Sequence, residues 1–184
     1  MSLINSIRKR LFHSFLKQRI AKTNRQRKMV GLAGAEYIGI VFNASEEGHL
    51  ILVKNFAAKL LEHNKKVKCL GYIDLKRRLD LPMSTLRFDF FTSKEMSWLY
   101  LPSTTVCESF MEVQFDLLLD LNLEANPVLQ YIACGSKAKY KIGPANNPHT
   151  DADMTISVAD KGDFKGFFQN AVRYAEMIKP AKNE

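Results

Sequence analysis

Three groups of residues in this 184-residue chain have types and spacings that could do chemistry. The first is a set of nine cations, Arg8, Lys9, Arg10, Lys17, Arg19, Lys22, Arg25, Arg27 and Lys28, in an N-terminal stretch of 34 residues that holds no Asp or Glu. Cations gathered without neutralising acids can meet nucleic-acid phosphates or anionic lipid headgroups. The second is a set of polar residues expected at strand ends, namely Asn43, Ser45, Asp74, Asp120 and Asn122. Ligands of open parallel sheets lie beyond the carboxyl ends of the strands, so these five outline a candidate ligand cleft. The same residue types also cap helices and shape turns, which is the plainer expectation for Ser45, Asn122 and Asp74. The third is the loop NNPHTDAD, where His149, Asp151 and Asp153 have metal-compatible side chains but no recognised ligand spacing, so a solvated turn is expected and no metal is assigned.

No catalytic set accompanies them. His13, His49 and His63 have no Ser or Cys placed by pattern as a nucleophile, and Asp89, Glu108 and Glu112 form no acid/base pair. A phosphate site at the first strand-to-helix turn would need glycines and neutral donors. That turn reads NASEEGH, with only Gly48 and with Glu46 and Glu47 where a phosphate would sit. Neither G-x-x-x-x-G-K-[ST] nor G-x-S-x-G occurs, so no catalytic residue and no cofactor is assigned.

Charge is distributed unevenly. The formal net charge is +8, of which the first 34 residues contribute +9, leaving a nearly neutral remainder. Cys69, Cys107 and Cys134 are odd in number and far apart, which argues against a disulfide framework or zinc knuckle and for a reducing compartment. Charges at Arg8–Arg10 and Lys17 interrupt the N-terminal apolar residues, unlike a secretory signal, and no run of 18 apolar residues exists. A cytoplasmic protein is therefore expected, although the acid-free, Arg-rich start also has the composition of an organelle transit peptide.

The elements that must position these residues follow from periodicity. Residues 1–34 are read as a helical arm and 35–184 as a single α/β domain. In the arm, Ile4, Ile7, Leu11 and Phe15, with Phe12, Leu16 and Ile20 beside them, recur at three- and four-residue steps, predicting a helix over residues 3–28. Its apolar stripe ends at Ile20, and the polar tract AKTNRQRK continues it into solvent or along an anion. The run YIGIVF (37–42) predicts a strand buried on both faces, and residues 46–64 a helix capped by Ser45. Further strands are predicted at 67–73, 87–91, 115–121, 138–142 and 154–158. Helices are predicted at 104–110, at 128–134 after the Asn126 cap and Pro127, and from the Asp163 cap through Ile178. Residues 74–84, with Pro82, read as a loop. This alternation predicts a three-layer Rossmann-like α/β domain with a mainly parallel sheet of five or six strands.

The text FDLLLDLN, an apolar helix and then ACGSKAKYKIG, together residues 115–143, resemble a strand-helix-strand segment of the acceptor-side domain of ADP-heptose-type glycosyltransferases. The resemblance implies an α/β fold and, by extension, a glycosyltransferase-like or small-molecule-binding module. After the first strand that family carries a Gly-Asp pair, where this chain has Asn43-Ala44-Ser45-Glu46. The chain as a whole is similar to small, uncharacterised bacterial α/β families with a basic N-terminal helix.

Three functions are consistent with these features. The arm would hold RNA or a ribonucleoprotein such as the ribosome by phosphate contacts, with no base stacking indicated because Phe12 and Phe15 lie on the apolar stripe. It would alternatively attach the protein to an anionic membrane surface, or simply pack its stripe on its own domain, a protein partner or a second copy, with the basic residues solvated. The third function is ligand binding in the strand-end cleft.

Overall fold

The computed structural model describes residues 3–77, 80–147, 149–158, 160 and 162–179. The elements are α1 (Leu3–Lys22), β1 (Tyr37–Asn43), α2 (Glu47–Glu62), β2 (Lys66–Ile73), β3 (Phe88–Thr92), a 3-10 turn (Ser93–Glu95), α3 (Thr105–Glu112), β4 (Leu117–Leu121), α4 (Pro127–Gly135), β5 (Tyr140–Pro144), β6 (Met154–Ile156) and α5 (Phe164–Met177). Six parallel strands form one sheet in the order β3-β2-β1-β4-β5-β6. The three-layer parallel architecture expected from the alternation of strand and helix is thus present.

The two faces of the sheet are both covered, which is why β1 and β4 read as continuous apolar runs. Ile38, Ile40 and Phe42 of β1 and Leu117, Leu119 and Leu121 of β4 face α2 and α5. Val41 and Leu118 face the opposite way, into a core built with α3 and α4. On that second face α1 forms an outer layer, burying Phe12 and Leu16 against Cys134 with Ile20, Tyr100 and Tyr131 alongside.

The arm departs from its sequence-based description at Lys22, where the helix stops six residues short of Lys28. Residues 23–36 then run in an irregular course past the amino-terminal edge of the sheet. Lys28 N–H donates to the Lys139 carbonyl at 3.1 Å, Leu32 N–H to the Ala175 carbonyl at 2.7 Å, and Lys66 N–H to the Glu36 carbonyl at 2.8 Å. Gly31 lies so close to α5 that a Cβ there would stand 2.1 Å from the Ile178 carbonyl oxygen, leaving no room for another residue type. The arm thereby passes from the α4 face to the α5 face before entering β1.

Candidate functional site

Of the cationic end of the arm at Arg25, Arg27 and Lys28, Arg25 turns inward, whereas Arg27 stays at the surface and folds back onto two carboxylates. The Arg25 side chain is only 3% exposed. Its Nε donates to Asp151 Oδ2 at 3.1 Å, Nη1 to Asp153 Oδ2 at 2.8 Å and to the Ala138 and Lys139 carbonyls, and Nη2 to Asp153 Oδ1 at 2.9 Å and the Asp151 carbonyl at 3.0 Å. Every donor of the planar guanidinium is used. Arg27 pairs with both carboxylates from the solvent side, and Lys141 donates from beneath to Asp151 Oδ2 at 2.9 Å and the Cys134 carbonyl at 3.0 Å. Burial opposes ionisation of Asp153, but the Arg25 hydrogen bonds outweigh it and hold its carboxyl below the usual range. The loop read as a solvated turn or weak metal site is therefore an internal ion-pair clasp on the arm. Among the described residues no cluster of three or more metal-ligating side chains occurs. His149 instead faces His13 of α1, ring centroids 4.9 Å apart.

On α1, Arg8 stacks over the Tyr100 ring at 3.4 Å and Arg19 pairs with Glu108 at 3.3 Å. Lys9, Arg10, Lys17 and Lys22 are exposed and have no ion pair among the described residues. The predicted apolar stripe is split. Phe12 and Leu16 are buried, whereas Ile7 (48%), Leu11 (38%) and Phe15 (38%) are exposed; the Ile4 side chain lies outside the described residues. Ile7, Leu11 and Phe15 follow one another at four-residue steps and share a face with Ser14, Gln18 and Lys22. Trp98, 60% exposed, belongs to the loop whose Tyr100 packs edge-on against Phe12 at 6.3 Å. The apolar run Trp98-Leu99-Tyr100 suggests a strand edge, but the structure places it in a loop pinched by an isolated antiparallel bridge between Met96 and Pro102.

The five strand-end residues form two hydrogen-bonded groups, Asn43-Ser45-Asp74, in which Asn43 Oδ1 accepts from Ser45 N–H at 3.0 Å, and Asp120-Asn122. Asn43 lines a cleft of about 200 Å³ at the carboxyl ends of β1 and β4, together with Glu46, His49, Glu124 and Phe164. Ser45 does not cap α2, which starts at Glu47 with no side-chain cap. Its Oγ instead accepts from Asp74 N–H at 2.8 Å. Asp74 Oδ1 accepts from Lys76 N–H, and Asn122 is bound on both sides of its amide by the Asn126 backbone at 2.8 and 2.9 Å. Asp120 accepts from Asn122 N–H at 3.0 Å beneath Gly143, and burial pushes its carboxyl up to about 7. Ser45, Asp74 and Asn122 shape loops, while Asp120 is a buried residue near the end of β4 whose carboxylate holds the chain as it leaves the strand.

The cleft itself is small and partly filled. Glu124 accepts from Asn43 Nδ2 at 2.8 Å and from Arg77 at 3.2 Å, and Arg77 also reaches Glu46 at 3.7 Å. His49 stacks on Phe164 with centroids 3.7 Å apart, and burial lowers its pKa. Its volume is below the roughly 300 Å³ at which small-molecule sites usually begin, and its acids would repel a phosphate. The three thiols are buried and unpaired, with burial pushing Cys107 and Cys134 up to about 12 and Cys69 higher, so none is poised as a nucleophile.

The order 3-2-1-4-5-6 with helices on both faces defines a doubly wound, Rossmann-like α/β protein, here with an extra helix laid on its α4 face. The chain belongs to a family of unknown function, DUF6913, which it matches over residues 8–178, from the first turns of α1 to the end of α5. No curated protein and no solved structure matches it.

Proposed function

We propose that this protein is a non-catalytic peripheral protein that docks on an anionic membrane surface through the outer face of α1. The observation that carries this reading is the exposed Ile7-Leu11-Phe15 stripe on a helix that has four unpaired cations and no acid. An interfacial helix needs apolar side chains that enter the acyl boundary and cations that meet lipid phosphates. Among the described residues no helix is long and apolar enough to cross a membrane, so the attachment is to a surface. RNA binding is the weaker reading, because Arg25 and Arg27 spend their charge on Asp151 and Asp153 and the apolar stripe would have no role on a phosphate backbone.

Magnitudes divide the work between the two halves of the face. Arg10, Lys17 and Lys22, which flank or share the face of the stripe, contribute about 1 kcal/mol each near an anionic leaflet, together about 3 kcal/mol, which alone corresponds to binding weaker than millimolar. The apolar side chains therefore decide whether attachment is stable. Cosedimentation with vesicles tests this: binding is expected on phosphatidylserine-containing vesicles and not on pure phosphatidylcholine. Leu11→Ser with Phe15→Ser is expected to abolish it, and Lys9, Arg10, Lys17 and Lys22→Gln to weaken it at least tenfold. Binding to structured RNA that exceeds vesicle binding and survives the two serines would replace this reading with the RNA one.

A further inference from the structure

The face of the sheet opposite α1 carries a groove between the carboxyl-terminal halves of α2 and α5. It measures about 680 Å³, within the range of small-molecule sites, and Leu32, Leu52, Phe56, Leu60, Phe168 and Val172 form the apolar part of its walls, with Asn55, His63 and Gln169 among the polar lining. The helices run side by side here because Phe56 and Phe168 meet edge-on at 5.4 Å, and the end of the arm contributes Leu32 and Ala33 to the lining. Lys59, Lys65 and Arg173 stand on its rim against a single acid, Glu176. Lys65 is tethered to the Ala33 carbonyl at 2.9 Å, whereas Lys59 and Arg173 have no ion-pair partner among the described residues. We propose that this groove binds a single-chain fatty carboxylate, with the acyl chain along the α2–α5 channel and the carboxylate at Lys59 and Arg173.

Apolar walls alone would accept any greasy partner. The excess of unpaired cations on the rim selects an anionic head, and a volume of about 680 Å³ lined by apolar side chains of α2 and α5 has room for one acyl chain. The groove lies across the sheet from α1, so it faces away from any surface that α1 occupies, and its ligand is a free fatty carboxylate rather than a lipid of the docked membrane. This inference does not rest on the membrane reading.

Equilibrium dialysis of the full chain with radiolabelled laurate, below its critical micelle concentration, tests it. Saturable one-to-one binding is expected. Val172→Trp, which fills the channel, and Leu52→Glu, which places a negative charge on its wall, are each expected to weaken laurate at least tenfold, with folding of each variant checked by its unfolding midpoint. Lys59→Gln with Arg173→Gln should weaken laurate severalfold and leave dodecanol unchanged, and Leu11→Ser with Phe15→Ser should leave laurate unchanged. Absence of saturable binding would overturn the proposal. So would laurate binding indifferent to both wall variants, or equal binding of laurate and dodecanol by the native chain and the double Gln variant.

Discussion

Arg25 sets all its guanidinium donors against two carboxylates and three carbonyls while almost completely buried. Removing one partner of such a group leaves buried charge uncompensated, so Arg25→Ala is expected to destabilise the fold by about 3–5 kcal/mol in urea unfolding. Arg27→Ala, at a position 56% exposed, should cost under about 1 kcal/mol. Equal losses in the two variants would show that the clasp is not organised around Arg25. Asp120 has the opposite character. Burial raises its pKa from 3.8 to about 7, against the pull of the Asn122 N–H and of Lys141. Its contribution to stability is therefore complete below the unfolded pKa and is lost as pH rises through about 7. Asp120→Asn keeps the oxygen that accepts from Asn122 and should abolish a loss on the order of a few kcal/mol between pH 4 and pH 8. Parallel stability-versus-pH curves for the two proteins would contradict this. Asp153 and Asp116, whose pKa values are lowered by their cationic and backbone partners despite burial, contribute stability at neutral pH that is lost as pH falls below the ordinary carboxylate range.

At the scale of elements, α1 has two faces with different duties. Phe12 and Leu16 pack on α4, so Phe12→Ala or Leu16→Ala is expected to cost about 3 kcal/mol, whereas Leu11→Ser and Phe15→Ser should change the unfolding midpoint little. If the serine variants unfolded as readily as the alanine ones, the outer stripe would have a structural role instead. Much of this organisation was legible in the chain. The β-branched run of β1, the Asn126-Pro127 start of α4 and the Asp163 cap of α5 are local signals, and each lies where it was read. What was not legible depends on distant partners. The arm's helix stops at Lys22 because the anion for Arg25 lies 126 residues further along. Ser45 abandons the cap position because Asp74 N–H, 29 residues away, takes its oxygen. Periodicity likewise could not say which half of the α1 stripe would be covered, since both halves fit one broad helical face.

For the whole molecule, the sheet separates two surfaces. One carries α1 with its apolar stripe and unpaired cations, and the other carries the α2–α5 groove. The first 34 residues carry +9 and the remainder sums to about −1, so α1 holds the denser group of cations and its side is favoured in an encounter with an extended anionic surface. Such binding should fall steeply between low and physiological salt, because the electrostatic part is screened while the apolar part remains. The native cysteines are buried, which leaves an introduced surface thiol free for selective labelling. A nitroxide at Leu11→Cys, with a second at Tyr174→Cys on α5 as the reference, reads the orientation directly by its accessibility to oxygen and to a water-soluble nickel complex. On phosphatidylserine-containing vesicles the label at position 11 should become accessible to oxygen and shielded from nickel, while the label at position 174 stays aqueous. A label at position 11 that remains aqueous on protein bound to those vesicles would contradict docking through α1.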